Sequence, residues 1–198
     1  MIHFDLSYDY RCPFAKNIHL HVISALQAGA DFDVRFVPWT LSQGHRDEGA
    51  PDVWHDPARD ADLLSLAVGV SIHDQQPDRF LAAHEALFRS RHERGIRLID
   101  FKEITRGLEG VDVDLDRVRS DVESRRPHEV IASSYREFER YEAFGVPTFV
   151  VNDDATFVRY MTSPTDNPYD SIKIIDSLVT LMVNDVDLNE FKHTRIAR

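Results

Sequence analysis

The residue with the clearest potential for chemistry in this sequence is Cys12, the only cysteine among 198 residues. A single cysteine forms no internal disulfide and builds no cysteine-based metal cage, so its thiol is either a small packed side chain or a reactive group. Pro13 follows it and suits the first turn of a helix, where its missing N–H costs nothing. Helix N-termini favour thiolates and lower cysteine pKa values to ~3.5–7.5. The spacing therefore predicts a partly exposed Cys12 that is nucleophilic at neutral pH, with the adjacent Arg11 as a surface charge.

The residues around Cys12 predict a β-α-β unit that would place this thiol at a strand-to-helix junction. Apolar residues alternate over 2–8 and again over 32–36, as strands require, while 14–26 has the apolar period of a helix. This order of elements favours a parallel pair of strands.

The rest of the chain predicts a helical block followed by a return to β structure. Helical periodicity extends from about residue 57 to residue 141, with a first short helix expected to end at Gly69. Residues 148–160 resemble a β-hairpin with its turn at 152–154. Asn167 and the proline after it predict the start of a last helix. The fold class is therefore α/β, with helices inserted between a β-α-β unit and a β-β-α unit.

Two short motifs carry a resemblance to a known family. Cys-Pro-Phe-Ala at 12–15 stands at the end of the first strand, and Gly-Val-Pro-Thr-Phe at 145–149 opens the third. With the order of elements, these motifs make the chain resemble the DsbA-like branch of the thioredoxin superfamily over nearly its whole length. The resemblance implies a thioredoxin fold at 1–56 and 143–184, an inserted helical subdomain at 57–142 and a C-terminal tail at 185–198.

The resemblance also implies a site around the thiol. Cys12 and Pro147 are the expected catalytic pair, with a cis Pro147 beside the sulfur and the backbone of Val146 exposed to pair with an extended substrate. The alternative is a trans Pro147 that begins an edge strand. Four residues are expected to contact the substrate: Pro13, Phe14, Val146 and Trp39.

Ala15 is the departure from the family that matters most. The DsbA-like oxidoreductases carry a second cysteine there, which resolves the mixed disulfide formed by the first. An alanine leaves monothiol chemistry through Cys12, in which an external thiol completes the reaction on a small-molecule or protein disulfide. The similar kappa-class glutathione transferases and chromene-carboxylate isomerases usually have serine in place of Cys12 and use it to orient a bound thiol, which gives a second hypothesis. A third is a redox-inactive module that binds an extended peptide.

Composition limits the partners. The chain has 34 acidic and 23 basic side chains and a net charge of −11, which argues against nucleic acid or an anionic membrane as a partner. No apolar run is long enough for a membrane span, and we expect a cytoplasmic protein. His19, His21 and His84 lack metal-site spacing, so no metal is predicted. We expect no tightly bound cofactor, only a low-molecular-weight thiol as co-substrate, and the sequence predicts no oligomeric state.

Overall fold

A mixed four-stranded sheet forms the centre of the molecule. The computed structural model describes residues 2–195. The strands are β1 (Ile2–Tyr8), β2 (Phe32–Pro38), β3 (Thr148–Val151) and β4 (Asp154–Phe157). Their order in the sheet is β2-β1-β3-β4; β1 pairs parallel with β2 and antiparallel with β3, and β3 pairs antiparallel with β4.

Eight α-helices within the described residues surround the sheet. They are α1 (Pro13–Gln27), α2 (Leu41–Gly44), α3 (Asp60–Gln75), α4 (Pro77–His92), α5 (Phe101–Gly107), α6 (Leu115–Glu123), α7 (Arg126–Glu139) and α8 (Pro168–Asn184). Two 3₁₀ turns, Val53–His55 and Pro57–Arg59, precede α3. The predicted fold class is confirmed: α3 to α7 are inserted between the β-α-β unit and the terminal β-β-α unit. None of the helices within 2–195 has the length and apolarity that a membrane crossing requires.

β1 is a central strand, and this explains why it is buried from Phe4 onward. Phe4 and Leu6 form one apolar cluster with Ile18 of α1 and Ile175 of α8. Tyr8 belongs to a second cluster, which continues into the helical insertion. Because this cluster also contains Cys12, the helical insertion packs directly on the part of the chain that carries the thiol. The division into subdomains at residues 56 and 143 therefore stays a proposal, since the two units share a core.

The helix expected to end at Gly69 continues to Gln75, so that prediction is wrong. A glycine inside a helix usually lowers stability relative to alanine, but this one has a packing reason. A Cβ at position 69 would lie 2.6 Å from Oη of Tyr10 and 2.9 Å from its Cε2. Gly69 therefore lets the buried Tyr10 ring lie against the α3 backbone.

The local turns and caps of the last third follow the sequence closely. Asn167 caps α8 by accepting a hydrogen bond from the N–H of Tyr169 at 3.3 Å. Asn152 and Asp153, at φ 50° and 65°, form the hairpin turn without glycine, because Asn and Asp tolerate the left-handed region. The second hairpin strand ends at Phe157, three residues before the predicted end.

A candidate thiol site between helix α1 and the Val146–Pro147 loop

Cys12 is the N-cap residue of α1. Its N–H donates to the carbonyl of Asp9 at 3.0 Å, which turns the chain from β1 into the helix, and Pro13 occupies the first helical position. The sulfur then accepts a hydrogen bond from the N–H of Ala15 at 3.5 Å. The predicted position of Cys12 at the N-terminus of this helix is therefore confirmed.

The Val146–Pro147 segment lies against the sulfur. The thiol of Cys12 donates to the carbonyl oxygen of Val146 at an Sγ–O distance of 3.1 Å. The Val146–Pro147 bond is cis, as the resemblance led us to expect. Ser7 on β1 holds this segment, because its Oγ accepts from the N–H of Thr148 at 2.8 Å. Cys12 and Val146 are thus in direct contact although they lie 134 residues apart in the sequence.

The environment of Cys12 corrects two expectations. The residue is only 7% exposed, although a partly exposed thiol is expected of a nucleophile. Burial raises the pKa of Cys12, and the nearby Asp9 carboxylate raises it further, whereas the N–H groups of Ala15 and Phe14 and the charge of Arg159 lower it. The net direction is upward, so the expected lowering of the pKa is wrong. Loss of hydration outweighs the helix N-terminus because the neutral thiol is favoured where water is excluded.

Arg11 is not the surface charge that the sequence suggested. Its guanidinium binds both carboxylate oxygens of Asp9, from Nε at 3.1 Å and from Nη2 at 2.7 Å, and it also donates to Ser42 Oγ at 2.8 Å. The Asp9 carboxylate in turn accepts from the N–H of Leu41 at 2.9 Å. This ion pair, in which Asp9 is buried and Arg11 is partly exposed, fixes the turn before Cys12 and joins it to α2. Arg11 therefore acts on the backbone that carries the thiol.

The four predicted substrate contacts have different surroundings. Pro13 is exposed and Phe14 is half-buried, so both present apolar surface next to Cys12. Val146 is buried and its carbonyl accepts a hydrogen bond from the thiol, so its backbone is not exposed as the resemblance implied. Trp39 is 2% exposed and stacks on Tyr135 at 4.9 Å between ring centroids. A ring covered in this way has no free face, so the structure places Trp39 in the core and does not support its predicted role.

Arg159 is a member of the site that sequence reasoning missed. It lies two residues beyond the end of β4, exposed, with its Cζ 4.6 Å from the centroid of the Phe14 ring. Its charge acts on Cys12, whose pKa it lowers. The only sequence signal was a basic residue in an acidic chain, close to the strand that pairs with the Val-Pro-Thr motif. That signal does not show which way the side chain points.

A chain of buried hydrogen bonds joins the helical insertion to β1 behind the site. Because the carbonyl of Ser7 can only accept, Nε2 of His19 donates to it at 3.1 Å, and this proton position orders the rest of the chain. Nε2 of His84 then donates to Nδ1 of His19 at 2.9 Å, and Oη of Tyr10 donates to Nδ1 of His84 at 2.7 Å. Both histidines are fully buried.

Burial sets the charge state of these two histidines. It lowers the pKa of His19 to about 3, against the opposing effect of the Ser7 carbonyl, and it lowers the pKa of His84 well below the ordinary value. Both rings are therefore neutral at pH 7. Within residues 2–195, no three His, Cys, Asp or Glu side chains converge as metal ligands would.

The fold and the thiol beside a cis-proline loop define a thioredoxin-fold protein with an inserted helical subdomain. The model of the DSBA-like thioredoxin domain matches residues 4–168, and the chain belongs to this family. The resemblance stated from the two motifs is thereby confirmed. No curated protein sequence matches the chain significantly.

Solved structures with this fold include several thiol-disulfide enzymes. The cytosolic disulfide reductase DsbM from Pseudomonas aeruginosa, solved with GSH, has a TM-score of 0.62 and 13% identity, and the match covers 91% of this chain and 100% of that one. The probable DsbA oxidoreductase SCO1869 from Streptomyces coelicolor has a TM-score of 0.63 and 14% identity, covering 99% and 94%. MdbA from Actinomyces oris, a thiol-disulfide oxidoreductase, has a TM-score of 0.63 and 17% identity, covering 90% and 80%. At these identities the likeness is one of fold.

Proposed function

We propose that the protein is a monothiol thiol-disulfide oxidoreductase in which Cys12 forms a mixed disulfide and an external low-molecular-weight thiol releases it. The observation that carries this proposal is the position of the sulfur, at the N-terminus of α1 and 3.1 Å from the Val146 carbonyl. We also propose that the reaction takes place in the cytoplasm, where a thiol pool supplies the second reactant and a chain with one cysteine needs no disulfide for stability.

The reaction needs two exchanges. In the first, the Cys12 thiolate attacks a disulfide, a new S–S bond forms to one half of the substrate, and the other half leaves as a thiolate. In the second, an external thiolate attacks the substrate sulfur of the mixed disulfide, which regenerates the Cys12 thiolate and yields a new disulfide. Ala15 supplies no sulfur one turn away, so the second attack comes from outside the protein.

The same loop gives a route by which substrate activates Cys12. In the resting protein the S–H donates to Val146, and a hydrogen bond made by the neutral form of an acid disfavours its ionisation. A substrate strand that pairs with the loop would bring its own N–H to the Val146 carbonyl. The thiol would then lose the acceptor that stabilises its proton, and its pKa would fall. Reactivity would rise where a substrate backbone is present.

The test is the intact mass of the protein after incubation with hydroxyethyl disulfide, followed by addition of a reducing thiol. We expect one adduct on Cys12, faster formation as the pH is raised through the thiol pKa, and return to the original mass with the thiol. Cys12→Ser is the blank. Absence of an adduct at alkaline pH would overturn the proposal, and a formation rate already maximal below pH 7 would contradict the raised pKa.

A second candidate function is a transferase or isomerase that binds a thiol cofactor. The protonated Cys12 favours it, because an S–H donor can orient the sulfur of a bound thiol instead of attacking a disulfide. Here Cys12→Ser separates the two functions, since a serine hydroxyl donates a hydrogen bond but forms no mixed disulfide. Non-covalent glutathione that raises the Tm of both wild type and Cys12→Ser would favour the transferase. If the protein forms no adduct and glutathione does not shift its Tm, the remaining hypothesis is a redox-inactive module that binds an extended peptide.

A further inference from the structure

We propose that Arg159 makes Cys12 selective for thiols and disulfides that carry a carboxylate close to the reacting sulfur. The inference rests on the proposed function and names the substrate class that the site would prefer. It concerns a side chain outside both motifs, and it starts from how the backbone places that side chain.

The β3–β4 hairpin positions Arg159 beside the Val146–Pro147 loop. Thr148 is paired with Phe157 in the sheet, and the N–H of the next residue, Val158, donates to the carbonyl of Pro147 at 3.1 Å. The chain therefore leaves the hairpin beside Pro147, with Arg159 as the following residue. Nδ2 of Asn17, a buried residue of α1, donates to the Tyr160 carbonyl at 2.9 Å and fixes the other side of Arg159. The backbone on both sides of the arginine is thus tied to the loop and to the helix of the site.

The side chain of Arg159 lies over the first turn of α1. Its guanidinium stacks on Phe14, the second residue after Cys12, with Cζ 4.6 Å from the ring centroid. An arginine over an aromatic ring gains a cation–π interaction and leaves its N–H edges free to bind an acceptor. The effect of its charge on the pKa of Cys12 agrees with this position beside the sulfur.

The guanidinium of Arg159 has no ion-pair partner in the part of the chain that the structure describes. Over residues 2–195, no carboxylate lies within 4 Å of its guanidinium, whereas Arg11 is bound by Asp9 and Lys16 lies 3.6 Å from Glu93. Arg159 is therefore an exposed cation without an ion-pair partner that lies over Phe14, two residues from Cys12. A planar guanidinium binds a carboxylate through two parallel hydrogen bonds. A substrate carboxylate would supply the missing partner.

A ratio of two alkylation rates tests this selectivity separately from the nucleophilicity of the thiol. Iodoacetate and iodoacetamide carry out the same reaction on Cys12 and differ in charge, so the thiolate fraction cancels in their ratio. We expect Arg159→Gln to lower the iodoacetate-to-iodoacetamide ratio about fivefold, the effect of one unit charge about 4 Å away in water. Arg159→Lys should keep part of the preference. The ratio should also fall with added salt in wild type and not in Arg159→Gln.

Arg119→Gln is the matched control. Arg119 also stacks on a phenylalanine, with Cζ 4.3 Å from the ring centroid of Phe101 in the helical insertion, so its removal changes the net charge and a cation–π pair equally. We expect no change in the ratio. An unchanged ratio in Arg159→Gln, or an equal drop in both variants, would overturn the inference.

Disulfides of different charge extend the test to the proposed reaction. Each rate is divided by the rate of the same disulfide with free mercaptoethanol, because disulfides differ in intrinsic reactivity through their leaving thiols. On this scale the preference for dithiodipropionate over hydroxyethyl disulfide and over cystamine should be larger in wild type than in Arg159→Gln. The same normalised preference in both proteins would overturn the selectivity and leave the exchange reaction standing. No adduct with any of the three would overturn the proposed function, while the alkylation ratio would still decide the role of Arg159.

Discussion

Replacing His84 with phenylalanine should change how the stability of the protein depends on pH. His84 is fully buried, neutral, and hydrogen-bonded to Tyr10 at 2.7 Å and to His19 at 2.9 Å. Phenylalanine keeps a ring of similar size among its aromatic neighbours. It also removes both hydrogen bonds and leaves Tyr10 Oη and His19 Nδ1 without these partners. At pH 7 the loss should cost about 1–3 kcal/mol for each buried polar group left unsatisfied.

The diagnostic quantity is the difference in unfolding free energy between pH 7 and pH 5. Burial lowers the pKa of His84, so the folded protein leaves this ring neutral while the unfolded chain takes up a proton. A lowered pKa gives stability that is present above the unfolded-state value of 6.5 and is lost as the pH falls toward the folded-state value. One such histidine lowers the unfolding free energy by about 2 kcal/mol between pH 7 and pH 5. His19 contributes a similar loss, which gives about 4 kcal/mol for the pair.

Urea denaturation at the two pH values measures this difference. We expect the wild-type midpoint to fall by about 2 M from these two groups, for an m-value of about 2 kcal/mol/M. His84→Phe should lose about half of that histidine contribution, since only His19 remains. His193→Gln, which removes an exposed imidazole, is the control and should retain the wild-type difference. The same pH 7 to pH 5 difference in His84→Phe and wild type would refute the assignment of His84 as a buried neutral ring.

Three further changes have expected outcomes. Gly69→Ala should destabilise the protein by about 1–3 kcal/mol, because the new Cβ meets the buried ring of Tyr10; thermal unfolding measures this, and an increase in Tm would contradict it. Ala15→Cys should let the protein reduce insulin or oxidise a peptide without an added monothiol, because it places a second sulfur one turn from Cys12; activity no higher than that of Cys12→Ser would show that the thiol is not a nucleophile. Asp100→Ala should cost about 1 kcal/mol of unfolding free energy, since the Asp100 carboxylate caps α5 at 2.8 Å; unchanged stability in urea would count against the cap.

The charge of the surface and the charge of the site differ in this protein. A net charge of −11 disfavours small anionic substrates at long range. Arg159 opposes that field only within a few ångströms of Cys12, because salt screens exposed charges over about 8–10 Å. The proposed selectivity is therefore a contact effect, and it should be strongest for substrates whose carboxylate lies near the disulfide.

Local sequence determined much of the fold. Strand alternation, the helical period, the N-cap at Asn167 and the proline after Cys12 each depend on interactions within a few residues, so they could be predicted without tertiary contacts. The two motifs also predicted the family, because the order of elements places Cys12 and Pro147 at the ends of neighbouring strands. These features required no knowledge of what packs on them.

Only the tertiary structure decided the chemical state of the site. The raised pKa of Cys12 comes first from burial, which depends on the loop at Val146 from 134 residues away and on the helical insertion. Likewise, His84 hydrogen-bonds to His19 across 65 residues, and Arg159 reaches Phe14 only because the hairpin folds back onto α1. Desolvation and charge are set by everything that surrounds a group in space. A pattern of a few residues therefore predicts the cap and the helix, but it does not predict how far the rest of the fold excludes water from the thiol.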